Sequence, residues 1–276
     1  MTARRDGEPE YLFDREAEER RLRAQSRLFD PLTRRLLDAA GLAPGMRVLD
    51  LGAGVGDTSI LAAQIVGPAG SVVGVDVSPA PLVAARRRAA SLGLHNVEFV
   101  AGDARSVDHV GESFDAVIGR LVLMYIADPV AAVRSAAARL RPGGLVCFQE
   151  VDATFDPCFP ASPLWTRARA WLERTAGQAG VELRMGPRLF HTFSAAGLEE
   201  PEMRLEAAVG GGAGAPAFAW ADVIASMLPL MERFGIATAE EVGPETLADR
   251  LLADLAALQG IVIAPLLFGA WSRTPS

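Results

Sequence analysis

Two cysteines in 276 residues, Cys147 and Cys158, cannot build a disulfide framework, and no CxxC or Cys/His cluster offers a zinc site. Long hydrophobic runs are missing too. None approaches the roughly 18 apolar residues that cross a bilayer, and the opening MTARRDGEPEYLFDREAEERR is too charged for a secretory leader. Basic charge is in deficit: 34 acidic side chains stand against 27 basic ones, for a net charge of -7 and a pI near 5.1, which argues against a general polyanion binder. Apolar material, by contrast, is plentiful. Half of the chain is hydrophobic, 22% is charged and mean hydropathy is +0.21, so disorder over most of the length is excluded and one large domain is affordable. These limits lead us to expect a soluble protein of the reducing cytoplasm, with no metal site, no nucleic-acid partner and no membrane span. A homodimer stays open.

The first forty-odd residues carry the charge and narrow apolar stripe of solvated helices, with Leu12, Leu22 and Phe29 near helical spacing. Asp30-Pro31 reads as an N-cap followed by proline at the first position of a second helix, which Gly41 closes. From residue 46 the pattern changes. MRVLDL (46–51), SVVGVD (71–76), VEFVAGD (97–103), FDAVIG (114–119) and LVCFQE (145–150) lack the strict alternation of a half-wet strand and read as buried parallel strands. Helices are expected between them near 57–66, 79–92 and 128–140, two of them opened by Ser78-Pro79 and Asp128-Pro129. The alternation predicts an α/β protein, a doubly wound, Rossmann-like and mostly parallel sheet of about seven strands. Later helices are expected near 163–179, 187–196, 216–234 and 239–258. Strands are expected near 202–209 and at LLFGAWSR (266–273), with GGGAG (210–214) as a flexible strand-to-helix connection.

The stretch VLDLGAGVGDTS (48–59) joins a buried strand to a helix, where an open α/β sheet meets its ligand. Glycines at 52, 54 and 56 let backbone pass close beneath that ligand. A dinucleotide loop would show GxGxxG, but here the third glycine falls at 56 and aspartate follows; the GK[ST] of a phosphate loop is absent as well. Asp50 and Asp57 beside a pyrophosphate would set like charges at short range. A ligand without phosphate and with a cationic end suits the loop better, and S-adenosylmethionine, with its ammonium and sulfonium, is such a ligand.

On these residues the segment from about 46 to 150 resembles the class I S-adenosylmethionine-dependent methyltransferases, in particular the small-molecule group similar to ubiquinone/menaquinone C-methyltransferases. LDLGAGVGD, VVGVDVSP, AGDA, FDAVIGRLVLMYIADP and LRPGGLVCFQE carry the likeness in order and spacing. The resemblance implies that Gly52, Ala53, Gly54 and Gly56 bend beneath the methionine and ribose, and that Asp50 orients the cofactor ammonium. It further implies that Asp76 accepts from both ribose hydroxyls, that Val77 packs on adenine, and that Asp103 and the Ala104 amide read the adenine edge. Arg120 is placed to meet the cofactor carboxylate. In similar enzymes the N-terminal segment folds over the cofactor, and Tyr11 and Gln25 are the side chains expected to reach in.

Methyl transfer from sulfonium is an in-line displacement in which positioning and desolvation supply much of the acceleration, so a catalytic dyad need not be present. Glu150, at the ligand-bearing edge of the fifth strand, and His191, on a later helix, are the catalytic candidates; Asp152 and Tyr125 lie nearby, while His95 and His109 read as surface residues. Trp165, Trp220, Met227, Met231 and Phe234 could line an apolar acceptor pocket or simply form core. The organisation expected is a helical lid (1–43), a cofactor-binding core (44–152) and the remainder of the sheet with acceptor-binding helices (153–276), all in one compact domain.

The function expected is methyl transfer to O, N, C or S of a small, partly apolar metabolite. The GRLVL after strand four is not the [DN]PP[YFW] of enzymes that methylate amino groups of bases or peptides, and no paired-glutamate loop points to protein arginine. The alternative is a non-methylating protein that keeps the fold and cofactor site as a cyclase, rearrangement catalyst or binding module. A nicotinamide-dependent oxidoreductase is a weaker third reading.

Overall fold

The computed structural model describes residues 15–111, 113–216 and 218–275. After a long first helix, α1 (Arg15–Ala40), strands and helices alternate as β1 (Arg47–Leu51), α2 (Asp57–Val66), β2 (Ser71–Asp76), α3 (Pro79–Ser91), β3 (Val97–Ala101), β4 (Phe114–Arg120), α4 (Pro129–Ala137) and β5 (Leu140–Asp152). The chain then runs through β6 (Cys158–Phe159), α5 (Pro163–Ala179), α6 (Met185–Ala196), β7 (Glu202–Glu206) and β8 (Val209–Gly211). It ends with α7 (Phe218–Ser226), α8 (Leu228–Arg233), α9 (Ala239–Val242), α10 (Pro244–Ala257), β9 (Ile261–Ile263) and β10 (Leu266–Arg273).

Seven strands form the main sheet in the order β3-β2-β1-β4-β5-β10-β7. β1 pairs in parallel with both β2 and β4, β2 with β3, and β4 with β5; β10 alone reverses, lying antiparallel to β5 and β7. The chain steps outward from β1 to β3 and then crosses to β4, so the order reverses at the β1/β4 boundary, where doubly wound sheets open a crevice beyond the strand ends.

Both faces of the sheet are covered, which is why its strands read as unbroken apolar runs. Successive residues part to opposite faces: Val48, Ala116 and Cys147 pack with Leu36 and Leu37 of α1 and with Leu61 and Val66 of α2, while Leu49, Val117 and Phe148 pack with Val133 of α4 and Leu189 and Phe193 of α6. The second half adds a cap with a core of its own, in which Trp165, Trp171, Trp220, Met231 and Leu251 gather from α5, α7, α8 and α10. Beneath it lies a small antiparallel sheet in the order β6-β9-β8.

Four local expectations are corrected. Asp30-Pro31 does not divide the first segment, because α1 runs straight through Pro31. Proline forgoes one helical bond there, but Asp30 is engaged as an ion-pair partner rather than as a cap, and Phe29, Leu36 and Leu37 anchor the helix in the core. The helices expected at 216–234 and 239–258 are each broken, the second at Gly243 (φ 57°) followed by Pro244. The strand expected near 202–209 is two strands that serve different sheets. The GGGAG tract is not a slack connection: a Cβ on Gly210 would lie 2.5 Å from the Gly214 carbonyl oxygen, and one on Gly211 2.8 Å from that of Gly260. Glycine is required there by close backbone approach, and strands this short escape a periodicity reading.

Candidate functional site

The crevice is built around the turn from β1 to α2. Gly52 N–H and Ala53 N–H both donate to the Val75 carbonyl (2.8 and 2.9 Å), and Gly54 N–H donates to Asp76 Oδ2 (2.8 Å), so the loop is sewn to the end of β2. The three glycines do different work, all at positive φ. A Cβ on Gly52 would lie 2.6 Å from Val122 Cγ2, and one on Gly56 would press on Ala85 and Phe99 at 3.0 Å; a Cβ on Gly54 would meet nothing within 4 Å among the described residues. Gly54 therefore borders open space, a cradle that a side chain would fill.

Carboxylates surround this loop. Asp76 is half-buried at the end of β2; its Oδ1 accepts from Ser78 N–H (2.9 Å) and its Oδ2 from Gly54 N–H, which leaves each oxygen a further lone pair for a hydroxyl. Val77 beside it is 51% exposed, an apolar surface available to a ring. Asp50 has no exposed surface. Ser59 Oγ donates to its Oδ2 (2.5 Å), Oδ1 is buried without a partner among the described residues, and burial pushes the carboxyl up to about 7 against the pull of Ser59 and Arg120. Asp57 opens α2 and is paired with Arg88 (2.6 Å) and Arg120 (3.6 Å). The helix N-terminus on which a pyrophosphate would rest thus already carries a carboxylate. Beyond β3, Asp103 is held by Arg105 at 2.5 Å, and this hydrogen-bonded ion pair keeps its carboxyl below the usual carboxylate range. Ala104, half-buried, follows directly and packs against the core. Ala53 and Gly56 are buried behind the loop, Ala53 in a cluster with Ile60, Leu82 and Phe99, whereas Asp103 and Ala104 are half-buried beyond the end of β3.

Arg120 departs from its expected role. Its side chain is 4% exposed and already engaged: Nη1 donates to Asp30 Oδ1 (2.9 Å) and to Thr33 Oγ1 (3.0 Å), and Nη2 faces Asp57. Thr33 in turn donates to Gln149 Oε1 (2.6 Å). The guanidinium fastens α1 to the start of α2 instead of standing free for a ligand carboxylate. Tyr11 lies outside the described residues; Gln25 is on α1, but its side chain also lies outside them.

The two catalytic candidates fare differently. Glu150 stands at the carboxyl end of β5, as read, but is fully buried: Oε1 accepts from Val122 N–H (3.0 Å) and Leu123 N–H (2.7 Å), and Oε2 has no partner among the described residues. Burial raises this carboxyl to about 7, opposed by the backbone amides that point at it. His191 is set apart altogether. It is exposed on α6, whose Leu189, Thr192 and Phe193 face the sheet, so the helix's packing turns the imidazole outward and away from the crevice. His95 and His109 are exposed as well, and Asp152 is taken up by the Thr154 amide and hydroxyl (both 2.8 Å).

Next to the crevice lies an apolar hollow of about 680 Å³, its open mouth included. Leu28 and Phe29 of α1 form one wall, Leu172, Trp220, Val223 and the half-buried Asp222 of the cap another, and Leu121, Met124, Tyr125, Val151 and Ala153 the floor. Trp220 turns its indole N–H to the Ile263 carbonyl (2.9 Å) and offers the hollow only ring surface. Of the aromatic and methionine residues marked in the sequence, Trp220 and Tyr125 line it. Trp165, Met227 and Met231 are buried in the cap core, and Phe234 packs against that core. Leu28, Phe29, Leu172 and Val223 carried no signal in the sequence, because apolar residues at helical spacing look the same whether they face core or cavity.

Comparison with known proteins fits this geometry. Residues 42–179 match a family model described as a methyltransferase domain, half of the chain. Among curated proteins, an aklanonic acid methyltransferase of Streptomyces sp. (strain C5) is 37% identical over 168 residues, covering 53% of this chain and 76% of that enzyme. An arsenite methyltransferase of Halobacterium salinarum is 39% identical over 115 residues, 42% of this chain but only 29% of that protein. Among solved structures, the [4+2]-cyclase SpnF superposes with a TM-score of 0.53 at 22% identity over 89% of this chain and 81% of its own.

Proposed function

The chain belongs to the class I S-adenosylmethionine-dependent methyltransferases, and from that premise we propose that it methylates a small, largely apolar and uncharged metabolite held in the hollow beside the glycine loop. The observation that carries this reading is the shared wall. Val122 packs against Gly52 of the loop, while its neighbours Leu121, Met124 and Tyr125 floor the hollow, so cofactor cradle and acceptor space are two sides of one turn.

The loop fits the cofactor in three respects: open space above Gly54, a buried unpartnered oxygen on Asp50, and acidic groups at the strand ends that favour a cationic over a phosphorylated ligand. When bound, S-adenosylmethionine supplies an electrophilic methyl on a positively charged sulfur. The chain's own part is to bind and exclude water. Asp76 would take the ribose diol, Val77 would cover one adenine face, and Asp103 with the Ala104 amide would meet the adenine edge. Asp50, wholly enclosed, would act on the ammonium through a water or the loop backbone. Phe29, Leu172 and Trp220 would shut bulk water from the acceptor, which strengthens every polar contact within. The same division of labour makes α1 the cover (1–43), the β1–β5 region the cofactor core (44–152) and the remainder the acceptor cap (153–276).

Arsenite, the acceptor named for one relative, does not suit this chain. A soft arsenic centre calls for gathered thiolates, whereas Cys147 is buried within β5, with its thiol pushed up to about 12 by burial, and Cys158 lies in the small sheet. The aklanonic acid methyltransferase is the more apt guide. A second reading, a cyclase or rearrangement catalyst that keeps the cofactor site, is supported by the hollow's mostly apolar lining and by the cyclase that shares the fold.

Formation of S-adenosylhomocysteine across an acceptor panel tests the proposal. Turnover is expected with neutral aromatic or polycyclic small molecules and not with oligonucleotides or peptides. Turnover confined to the latter would overturn it, and tight S-adenosylhomocysteine binding with no turnover on any acceptor would favour the cyclase reading.

A further inference from the structure

We infer that Glu150 is the positioning residue of the acceptor hollow, its enclosed carboxylate fixing the backbone turn from Leu121 to Tyr125 that divides the hollow from the glycine loop. The inference rests on the hollow being the acceptor site. The turn is an improbable piece of backbone by itself. Leu121 sits at φ 55°, a left-handed conformation that is unfavourable for an L-residue, and such a residue persists only where its surroundings over-determine it. Two consecutive amides, those of Val122 and Leu123, converge on the single oxygen Glu150 Oε1 at 3.0 and 2.7 Å, while Leu121 N–H donates to the Gln149 carbonyl (2.9 Å).

The turn so held has a consequence on each side. Toward the cofactor, Val122 lies where a Cβ on Gly52 would be, and it also abuts Gly119. Toward the acceptor, Leu121, Met124 and Tyr125 form the floor, and the Met124 carbonyl accepts from Glu182 N–H (2.9 Å), which ties the floor to the segment carrying Leu183. β5 continues past Glu150 into Val151, Ala153 follows just beyond its end, and both line the same hollow. One strand end therefore places both the floor and the wall beside it. A carboxyl with no exposed surface and one unpartnered oxygen is a costly way to cap a turn. That cost is understandable where the distance between two binding spaces depends on the turn, since small misplacements of bound reactants lose large rate factors.

The test compares Glu150→Asp, which draws the carboxylate back by one methylene, with Glu150→Gln, which keeps an oxygen at full reach. Three readouts are used: calorimetric affinity for S-adenosylhomocysteine, fluorescence affinity for the neutral apolar probe N-phenyl-1-naphthylamine, and hydrogen exchange of the Val122 and Leu123 amides. In Glu150→Asp the two amides should exchange about tenfold faster or more and the probe should bind about tenfold more weakly, as expected for loss of well-made hydrogen bonds. S-adenosylhomocysteine affinity should stay within about threefold, because the glycine loop has its own anchors on β2. Glu150→Gln should restore both lost properties. In the unmutated protein the two amides should be protected like those of the central strands; free exchange there overturns the inference even if Glu150→Asp fails to fold. So do an unmutated protein that takes up no probe, unchanged probe affinity in Glu150→Asp, a Gln variant as defective as the Asp variant, or S-adenosylhomocysteine affinity falling in step with the probe. A silent acceptor panel would overturn the acceptor reading alone, leaving these readouts to judge Glu150.

Discussion

The cofactor half and the cap half of this molecule are both well packed, yet they use their polar residues in opposite ways. Between β1 and β3, Asp50, Asp57, Asp76 and Asp103 stand at strand ends or a helix start, and each is held by a named partner: Ser59, Arg88, the Gly54 and Ser78 amides, and Arg105. In the cap, Trp165, Trp220, Met231 and Leu251 bury apolar surface, and the wall that the cap gives the hollow is shaped by side-chain volume, whereas the floor is the turn that Glu150 holds. A fixed ligand can be met by fixed polar groups on a rigid sheet. A variable acceptor is met by packing, which sequence can change without unsettling the cofactor site.

The sharpest way to break that comparison is Gly54→Val. At φ 52° a branched side chain is strained, and it would fill the open space of the cradle, so S-adenosylhomocysteine binding should become undetectable by calorimetry while the fold persists. Normal binding would mean that the cradle is misplaced. Asp76→Ala comes next. It unties the Gly54 and Ser78 amides and, on the proposed reading, would remove two charge-assisted bonds to the ribose, for a loss of roughly a hundredfold in the same measurement.

Val223→Trp sharpens the contrast from the cap side. It fills the hollow and should weaken uptake of an apolar probe about tenfold, yet leave S-adenosylhomocysteine affinity within about twofold, because Val223 borders the hollow and the cap core and not the glycine loop. Asp50→Asn probes the buried acid. With its carboxyl raised to about 7, folded Asp50 binds a proton more tightly than in the unfolded chain; its contribution to stability is full below about pH 4 and is lost as pH rises through about 7. The Asn variant should therefore lose less stability than the unmutated protein between pH 5 and pH 8 in denaturant titrations. His191→Ala marks the lower end, with no measurable change in cofactor affinity or turnover, since the ring is exposed on the outward side of α6.

The same division decides what could be read from the sequence. The parallel strands and the glycine loop were legible because backbone demands select residue types: glycine where φ is positive, apolar runs where both sheet faces are covered, aspartate at strand ends. Arg120 and Glu150 were legible as positions but not as roles. Nothing local reveals that Arg120 is claimed by Asp30, ninety residues earlier, or that Glu150 turns inward to the amides of Val122 and Leu123. The walls of the hollow were illegible, because Leu28, Leu172 and Val223 differ from core residues only in what lies opposite them. The three short strands β6, β8 and β9 were missed because their pairing is set by tertiary contact rather than by a repeating pattern.

The central claim, that the glycine loop and the apolar hollow meet at a single turn to bring a sulfonium methyl against a small acceptor, is tested most directly by a crystal structure with S-adenosylhomocysteine bound. In that structure the ribose is expected on Asp76, the methionine part along Gly52–Gly54, and the sulfur facing the hollow across Leu121 and Val122. Density for the ligand with its sulfur turned toward α2 or bulk solvent, or with its ribose away from Asp76, would contradict it.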